Sequence, residues 1–457
     1  MEKLEKYVVL SLDPMYSPLH SKIAALVGKE KKRHAILSCW AKKVYLRGFQ
    51  CTLATQLING ITEKCVTKEI RKRVEHLTTY HHAYVKKVEK RTLSNDEITY
   101  MARFYQALVH FLERESIDLV LVHNDVRWYH AIAIDICKRK GIRYLVTEQG
   151  LIRPHTTVID NRGVNANANL GFSSSKPQQP AKLSNDFRPT IYHDSWISIV
   201  FFAVFLLIFT IERTIGSGTI IRYMHNKYSL RKYAQRFYNR INNRKNKIDS
   251  THVPNQYVLL LLQLDTDSQI LVHSDFSNNQ EIISQVEENI LPLGYHLAIK
   301  QHPLDQKDYK TSNGTLWVDG NIQQLASSAQ CVISVNSSSA ISVLETKTPL
   351  FLIGQSIYNY PGVAEYSRVN DIPEKLAKIN ITQHTKMRSA YLRHLKYRYL
   401  VAVTGWSLTP AIILNKLQNL LHDPNLRTIS RGNKVPEKQD NITLAKTKNT
   451  DNTYENA

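Results

Sequence analysis

Apolar and polar positions follow a regular rhythm in two separate blocks of this chain. In the first block, residues 7–11 (YVVLS) predict a buried strand, residues 32–47 up to Gly48 a helix, and residues 51–54 the next strand. Residues 66–91 have helical period and carry eight basic and three acidic side chains, which predicts a solvated helix face. Ser94 and Glu97 are spaced as a capping box, opening an amphipathic helix that runs to about Glu115. A strand over 118–122, a helix over 128–139 ending near Gly141, and a strand over 143–147 complete the block.

Residues 163–188 are rich in Asn, Ser, Pro and Gln and read as a linker. The second block predicts strands over 256–262, 296–300, 331–335 and 350–353, with helices over 279–291, 322–329 and 339–346. Helical stretches over 387–421 and a polar tail, predicted to be disordered, close the chain. Strands alternating with helices imply parallel sheets, so the pattern predicts two α/β halves. The expected division is 1–160, a linker at 161–192, an inserted segment at 193–250, 251–422, and the tail 423–457.

Composition adds charge to this picture. The 457 residues include 60 Lys and Arg against 39 Asp and Glu, a formal charge of +21. A hydrophobic share of 43% excludes wholesale disorder. Five scattered cysteines, none in a CxxC pair, exclude a disulfide scaffold and a structural zinc site, and point to a reducing compartment. The opening residues MEKLEKYVVLSLDP do not read as a signal peptide.

The location of the charge matters more than its sum. The tail contributes about one unit, with six basic and five acidic residues, whereas 213–247 holds ten Lys and Arg and no acid. That basic stretch follows the most apolar run, 196–211 (WISIVFFAVFLLIFTI). As a helix of sixteen residues the run spans roughly 24 Å, short of a hydrocarbon core of about 30 Å. Three readings stand: a tilted spanning helix, a buried core helix, or a segment in the cytoplasmic leaflet beside cations that grip anionic headgroups. Tyr223, Tyr228, Tyr233, Phe237 and Tyr238 interleave with Arg222, Lys227, Arg231, Lys232, Arg236 and Arg240, which favours the third. No nucleic-acid partner is expected, because no stacking module is recognisable.

Candidate chemistry gathers at predicted strand ends, where α/β sheets bind ligands. Glu148 and Arg153 follow the strand over 143–147; Glu148 reads as a general acid/base or as a turn carboxylate without a role. After the strand over 256–262 come Gln263, Asp265, Asp267, Ser268 and Gln269. Here the Asp-Thr-Asp fits metal-dependent sugar transferases weakly, and a lone strand-end Asp fits a covalent nucleophile. Lys300 and His302 can clamp a phosphate, with Pro303 fixing the turn. Asn336, Ser337 and Ser338 enter a helix, as an anion site or an ordinary cap. The segment 124–130 offers Arg127 and His130 to a carboxylate, with Asn124 or Asp125 as a helix cap.

These segments resemble the bacterial capsule polysaccharide biosynthesis/export family, the retaining β-Kdo transferases. The matching pieces are NDVRWYH (124–130), EQGLIRP with GVN (148–154, 163–165), QLDTDSQ with HS (263–269, 273–274), KQHP (300–303) and VNSSSAISVLE (335–345), in family order. The resemblance implies a GT-B-like fold: two Rossmann-like domains facing a cleft, acceptor-binding first and nucleotide-sugar-binding second, with an apolar and basic membrane-associating insertion. It implies transfer of Kdo from CMP-Kdo to a lysophosphatidylglycerol-type lipid, with Asp267 as nucleophile and Glu148 as acid/base. Lys300, His302, Ser337 and Ser338 would hold the CMP, with Gln263, Ser268, Gln269 and Asn336 around the donor. Arg127, His130 and Arg153 would meet the acceptor or the sugar carboxylate.

No cofactor or metal is implied, Lys and His offsetting leaving-group charge instead. The implied partners are the CMP-sugar, anionic phospholipid at the cytoplasmic face of the inner membrane, and other capsule assembly proteins. One set of motifs suggests the single-module type. The chain departs from the family pattern at Gln149 and at His155-Thr156-Thr157, and shows no evident Gly-rich loop in 13–20. A non-catalytic assembly scaffold, or another CMP-sugar transferase, is the competing reading.

Overall fold

Each apolar block becomes a sheet of parallel strands in the computed structural model, which describes residues 6–153, 155–173, 194–216, 218–224, 248–249, 253–378 and 381–422. Most of the expected linker, the basic stretch from 225 to 247 and the tail lie outside the described residues. Strands β1 (Tyr7–Leu12), β2 (Gly28–Leu37), β3 (Gln50–Leu53), β4 (Leu119–His123), β5 (Arg143–Gln149) and β6 (Thr157–Asp160) form the first sheet. Their order is β3-β2-β1-β4-β5-β6, all parallel except β6. β1 and β4 are buried on both faces, which explains their unbroken apolar runs.

Helix α1 (Leu19–Val27) covers one face of this sheet. Then come α2 (Ala54–Asn59), α3 (Lys68–Glu75), α4 (Tyr80–Lys87), α5 (Asn95–Arg114) and α6 (Trp128–Lys140). α5 and α6 pack on the opposite face around Leu10, Leu12, Val120 and Val122. The expected capping box is present, Ser94 Oγ accepting from Glu97 N at 3.2 Å and Glu97 Oε2 from Ser94 N at 2.7 Å. Gly141 ends α6 at φ +66°, a conformation that favours glycine.

Two local expectations change. Residues 32–47 form the end of β2 and a short 3₁₀ turn, Trp40–Tyr45, instead of a helix. Apolar spacing in HAILSCW suits either state, and pairing with both β1 and β3 selects the strand. Residues 66–91 divide into α3 and α4, because Thr79 accepts from His82 N at 3.2 Å and starts a new helix.

The second sheet holds β7 (Ile248–Asp249), β8 (Tyr257–Leu261), β9 (His296–Lys300), β10 (Thr315–Asp319), β11 (Cys331–Ser334), β12 (Leu350–Leu352) and β13 (Glu365–Tyr366). Its order is β13-β12-β11-β8-β9-β10-β7, all parallel. Both sheets therefore wind outward in two directions from a central pair, β1/β4 and β8/β11. In such sheets the crevice for a ligand opens at the C-terminal ends of that pair.

The apolar run lies in α7 (Asp194–Ile215), longer than expected. Its stretch Trp196–Ile215 is long and apolar enough to cross a membrane, and 17% of the apolar window is buried. The expected length shortfall therefore disappears. One face of α7 belongs to the fold, with Phe205 and Phe209 buried against Cys39, Ala41 and Tyr45. Glu212 accepts from the backbone amides of Trp40 (2.9 Å) and Ala41 (3.2 Å).

The end of the expected second half, residues 401–421, returns to the first sheet. Val401 bridges Thr157 in both directions at 2.9 Å. Ile413, Leu417 and Leu421 of the last helix pack against Val9, Leu121 and Leu145.

Candidate active site

At the end of β1 the chain turns through Asp13, a non-glycine residue at φ +46°. Its buried carboxylate accepts from Ser38 N (3.0 Å), Ser38 Oγ (2.6 Å) and Tyr129 OH (2.9 Å). Lys42 Nζ, also buried, lies 3.5 Å away, and an Arg127 nitrogen 3.9 Å away. Burial would raise the Asp13 carboxyl, but Lys42, His130, Ser38 and Arg127 bring it down to about 2. Arg127 thus faces a carboxylate of the protein itself. His130 is fully buried, and its Nε2 donates to the Leu12 carbonyl at 3.1 Å.

Glu148 closes β5, one residue from the strand's end. It accepts from Asn124 Nδ2 at 2.9 Å and meets His123 Nε2 at 3.3 Å. Asn124 reaches it from a left-handed backbone at φ +69°, its Oδ1 accepting from Val126 N at 2.9 Å. Burial would raise the Glu148 carboxyl, but His123, Arg153 and Asn124 hold it well below the usual carboxylate range. Burial also holds His123 below its ordinary value, against the pull of Glu148. At neutral pH the pair is therefore an ionised carboxylate beside a neutral imidazole: Glu148 has the charge state of a proton acceptor, while its low proton affinity weakens it as a base.

Behind this pair, Thr147 Oγ1 donates to the Val122 carbonyl at 3.1 Å. It also lies within hydrogen-bond distance of His123 Nδ1 (3.2 Å) and His20 Nε2 (3.0 Å), bracing both rings. His20 Nδ1 in turn accepts from Ser11 Oγ at 2.7 Å. The motif glycines are explained by close approach. A Cβ on Gly150 would stand 2.6 Å from the Thr156 backbone, and one on Gly163 2.6 Å from Asp125 Oδ2. Asp125 accepts from Val164 N (3.0 Å) and Asn167 Nδ2 (3.1 Å), so it anchors the GVN loop.

On the second sheet, Asp267 caps the helix Ser268–His273, accepting from Gln269 N at 2.9 Å. Ser268 Oγ donates to the same oxygen at 3.3 Å. Asp265 is committed elsewhere, to Asn279 N (2.7 Å) and Lys307 Nζ (2.8 Å). Gln263 is buried and its carbonyl accepts from Asn279 Nδ2 at 2.8 Å. Asn336 donates to the carbonyls of Gln269 (3.3 Å) and Gln355 (3.0 Å), tying two of the motifs together. Ser337 Oγ accepts from Ser339 N at 3.2 Å, Ser338 follows it, and the helix they precede is short, Ala340–Leu344. Lys300 pairs with Asp319 at 2.8 Å, and His302 Nδ1 accepts from Leu304 N at 3.1 Å.

The two groups of residues meet through Tyr80 of α4. Its amide donates to the Val126 carbonyl (2.7 Å) and its hydroxyl to the Thr266 carbonyl (3.2 Å). Arg153 acts electrostatically on Glu148 and on the buried Tyr358 of the second unit. Among the described residues no hydrogen bond or ion pair joins Glu148 to Asp267.

Glu148 and His123 line a cavity of about 570 Å³. Its polar wall adds Gln149, His155, Thr156 and Thr157, and its apolar wall Met15, Tyr16, Leu19, Ile199, Phe202 and Trp406. Residues 13–20, which show no sequence motif, thus supply Asp13, Met15, Tyr16 and His20 to the site. Asp13 sits directly after the first apolar strand, a signal that could have marked it. Lys42 carries none, because its burial depends on where the turn after β2 packs.

The profile of the capsule polysaccharide biosynthesis protein family matches residues 118–402, which include every motif quoted above. The capsule polysaccharide export protein KpsS of Escherichia coli is 27% identical over 286 residues, covering 54% of this chain and 69% of the relative. The capsule polysaccharide modification protein LipB of Neisseria meningitidis serogroup B is 21% identical over 290 residues, 57% of this chain and 69% of the relative. Among solved structures, the β-Kdo 2,7 transferase of Thermosulfurimonas dismutans KpsC is similar at 15% identity and a TM-score of 0.33, covering 74% of this chain and 94% of that one. The match of the family profile across more than half of the chain establishes that it belongs to the capsule polysaccharide biosynthesis protein family.

Proposed function

We propose that this protein is a glycosyltransferase that moves Kdo from CMP-Kdo to a hydroxyl of a lysophosphatidylglycerol-type lipid, with retention. The observation that carries the reading is Glu148, an ionised carboxylate held by Asn124 and His123 in the wall of an open cavity. In the first step an Asp267 oxygen bonds to the anomeric carbon of the donor as the bond to the CMP phosphate oxygen breaks. In the second, Glu148 takes the proton of the acceptor hydroxyl, whose oxygen displaces Asp267 at the same carbon. Two inversions give retention, as in the paired carboxylates of retaining glycosidases.

Lys300 and His302, at the end of β9, would offset charge on the departing phosphate once Lys300 leaves Asp319. No metal step is needed in this scheme, and none is routed through Asp265. The acceptor and the exposed face of α7 are consistent with action at the cytoplasmic face of the inner membrane.

The test is transfer from CMP-Kdo by purified protein, with Asp267→Asn and Glu148→Gln. Loss of transfer in both, together with a sugar adduct on the Glu148→Gln protein by intact mass, supports the scheme. Near wild-type transfer by Asp267→Asn overturns the nucleophile assignment. Absence of CMP binding to the wild-type protein would favour the scaffold reading.

A further inference from the structure

The cavity beside Glu148 has a mixed lining: Glu148 and His123 contribute polar atoms, and Met15, Tyr16, Phe202 and Trp406 an apolar wall. The aromatic wall is braced edge to face, Tyr16 on Phe202 at 5.0 Å and Trp406 on Phe201 at 4.8 Å.

The same helix that supplies the wall carries an apolar outer face. Trp196, Ile199, Val200, Leu207, Ile211 and Ile215 are between 50% and 82% exposed. An uncovered apolar row of this extent marks an interaction surface. Ile199 belongs to both features, lining the cavity while 59% exposed, so the outer face and the cavity are continuous. The opposite face of α7 is taken up by the fold through Phe205, Phe209 and Glu212. α7 therefore has a protein side and a side fit for an acyl phase, and its Ile199 and Phe202 line the cavity.

We infer that the apolar wall of this cavity lines a chain channel, which takes the acyl chain of a single-chain glycerophospholipid along α7 and leaves its glycerol hydroxyl at Glu148. This rests on the transfer reading above and assigns residues to the acceptor that no motif marks. A cavity of about 570 Å³ lies within the usual range for ligand sites of roughly 300–1,000 Å³.

The experiment uses the full chain and monomeric lysophosphatidylglycerols, from octanoyl to tetradecanoyl, read by titration calorimetry and native mass spectrometry. Affinity should rise about fourfold per methylene until the channel is full, from about 0.8 kcal/mol per buried methylene. Ser198→Trp, which places an indole in the cavity, should weaken binding about tenfold or more with the melting transition kept. Leu293→Ser, an exposed apolar change in the second unit, should leave binding as it is.

Affinity independent of chain length would overturn the inference, as would wild-type binding by a folded Ser198→Trp protein. If that variant does not fold, the chain-length series on the wild-type protein still decides. Chain-dependent binding without sugar transfer would uphold the channel and remove the transfer reading. Equal transfer to glycerol phosphate and to every lysolipid would do the reverse.

Discussion

His123 Nε2 stands 3.3 Å from Glu148 Oε1 while its other ring nitrogen is held by Thr147 at 3.2 Å. The nitrogen facing the Glu148 carboxylate is the one placed to donate, so the neutral imidazole orients the carboxylate while Thr147 orients the ring. A second proton on the ring at low pH sets a cation against the carboxylate and lowers its capacity as a base further.

Glu148→Gln should therefore lower transfer by about two to four orders of magnitude, the usual contribution of a positioned acid or base. The wild-type rate should show an acid limb below the ordinary histidine value of 6.5, because burial lowers His123. A pH–rate profile with single-turnover measurements checks both.

The buried histidines make stability fall with acid. Burial takes His20 down to about 3 and His130 well below its ordinary 6.5. Each folded pKa lies below its unfolded one, so the unfolded chain binds more protons and stability is lost as pH falls below about 6.5. At pH 5 His20 alone should cost about 2 kcal/mol. The change in melting temperature between pH 7 and pH 5 reads this, and His20→Asn should flatten the slope.

Lys42 and Asp13 form a buried pair, and removing Lys42 leaves Asp13 with a more distant cation, Arg127 at 3.9 Å. Lys42→Met should destabilise by about 3–5 kcal/mol, and the double change with Asp13→Asn by less than the sum of the singles. Denaturant unfolding of the three variants measures the coupling.

Lys300 is held by Asp319, whose side chain is 64% exposed. Asp319→Asn should free the ammonium and tighten CMP binding several-fold, whereas Lys300→Ala should weaken it. Both are read by calorimetry with CMP, and the contrast vanishes if Lys300 has no part in the donor site.

Tyr80 links the loop after β4 to the loop before Asp267 through two backbone carbonyls. Tyr80→Phe removes the bond to Thr266 and should cost about 0.5–1.5 kcal/mol. Hydrogen exchange should quicken at residues 264–269 with little change at β4.

Strand ends and helix caps were legible because they are local. Ser94 with Glu97, Gly141 after α6, and the strand His296–Lys300 appear where the sequence pattern predicts them. The strand-end positions of Glu148, Gln263, Lys300 and Asn336 were legible for the same reason, since a fully buried parallel strand is a short apolar run. β2 was not, because its residues pair with strands on either side that the segment does not itself specify.

By itself the sequence determined two α/β units, their motif order and the apolar segment, since periodicity and short motifs encode burial and turn chemistry directly. The tertiary structure decided the rest, because it depends on contacts between residues far apart in the chain. It turned Arg127 and His130 inward onto Asp13 and the Leu12 carbonyl, brought residues 400–421 back to the first sheet, and laid α7 against Tyr45. The charge balance around Glu148 was likewise set by burial and by neighbours from other elements, neither of which has a local signature.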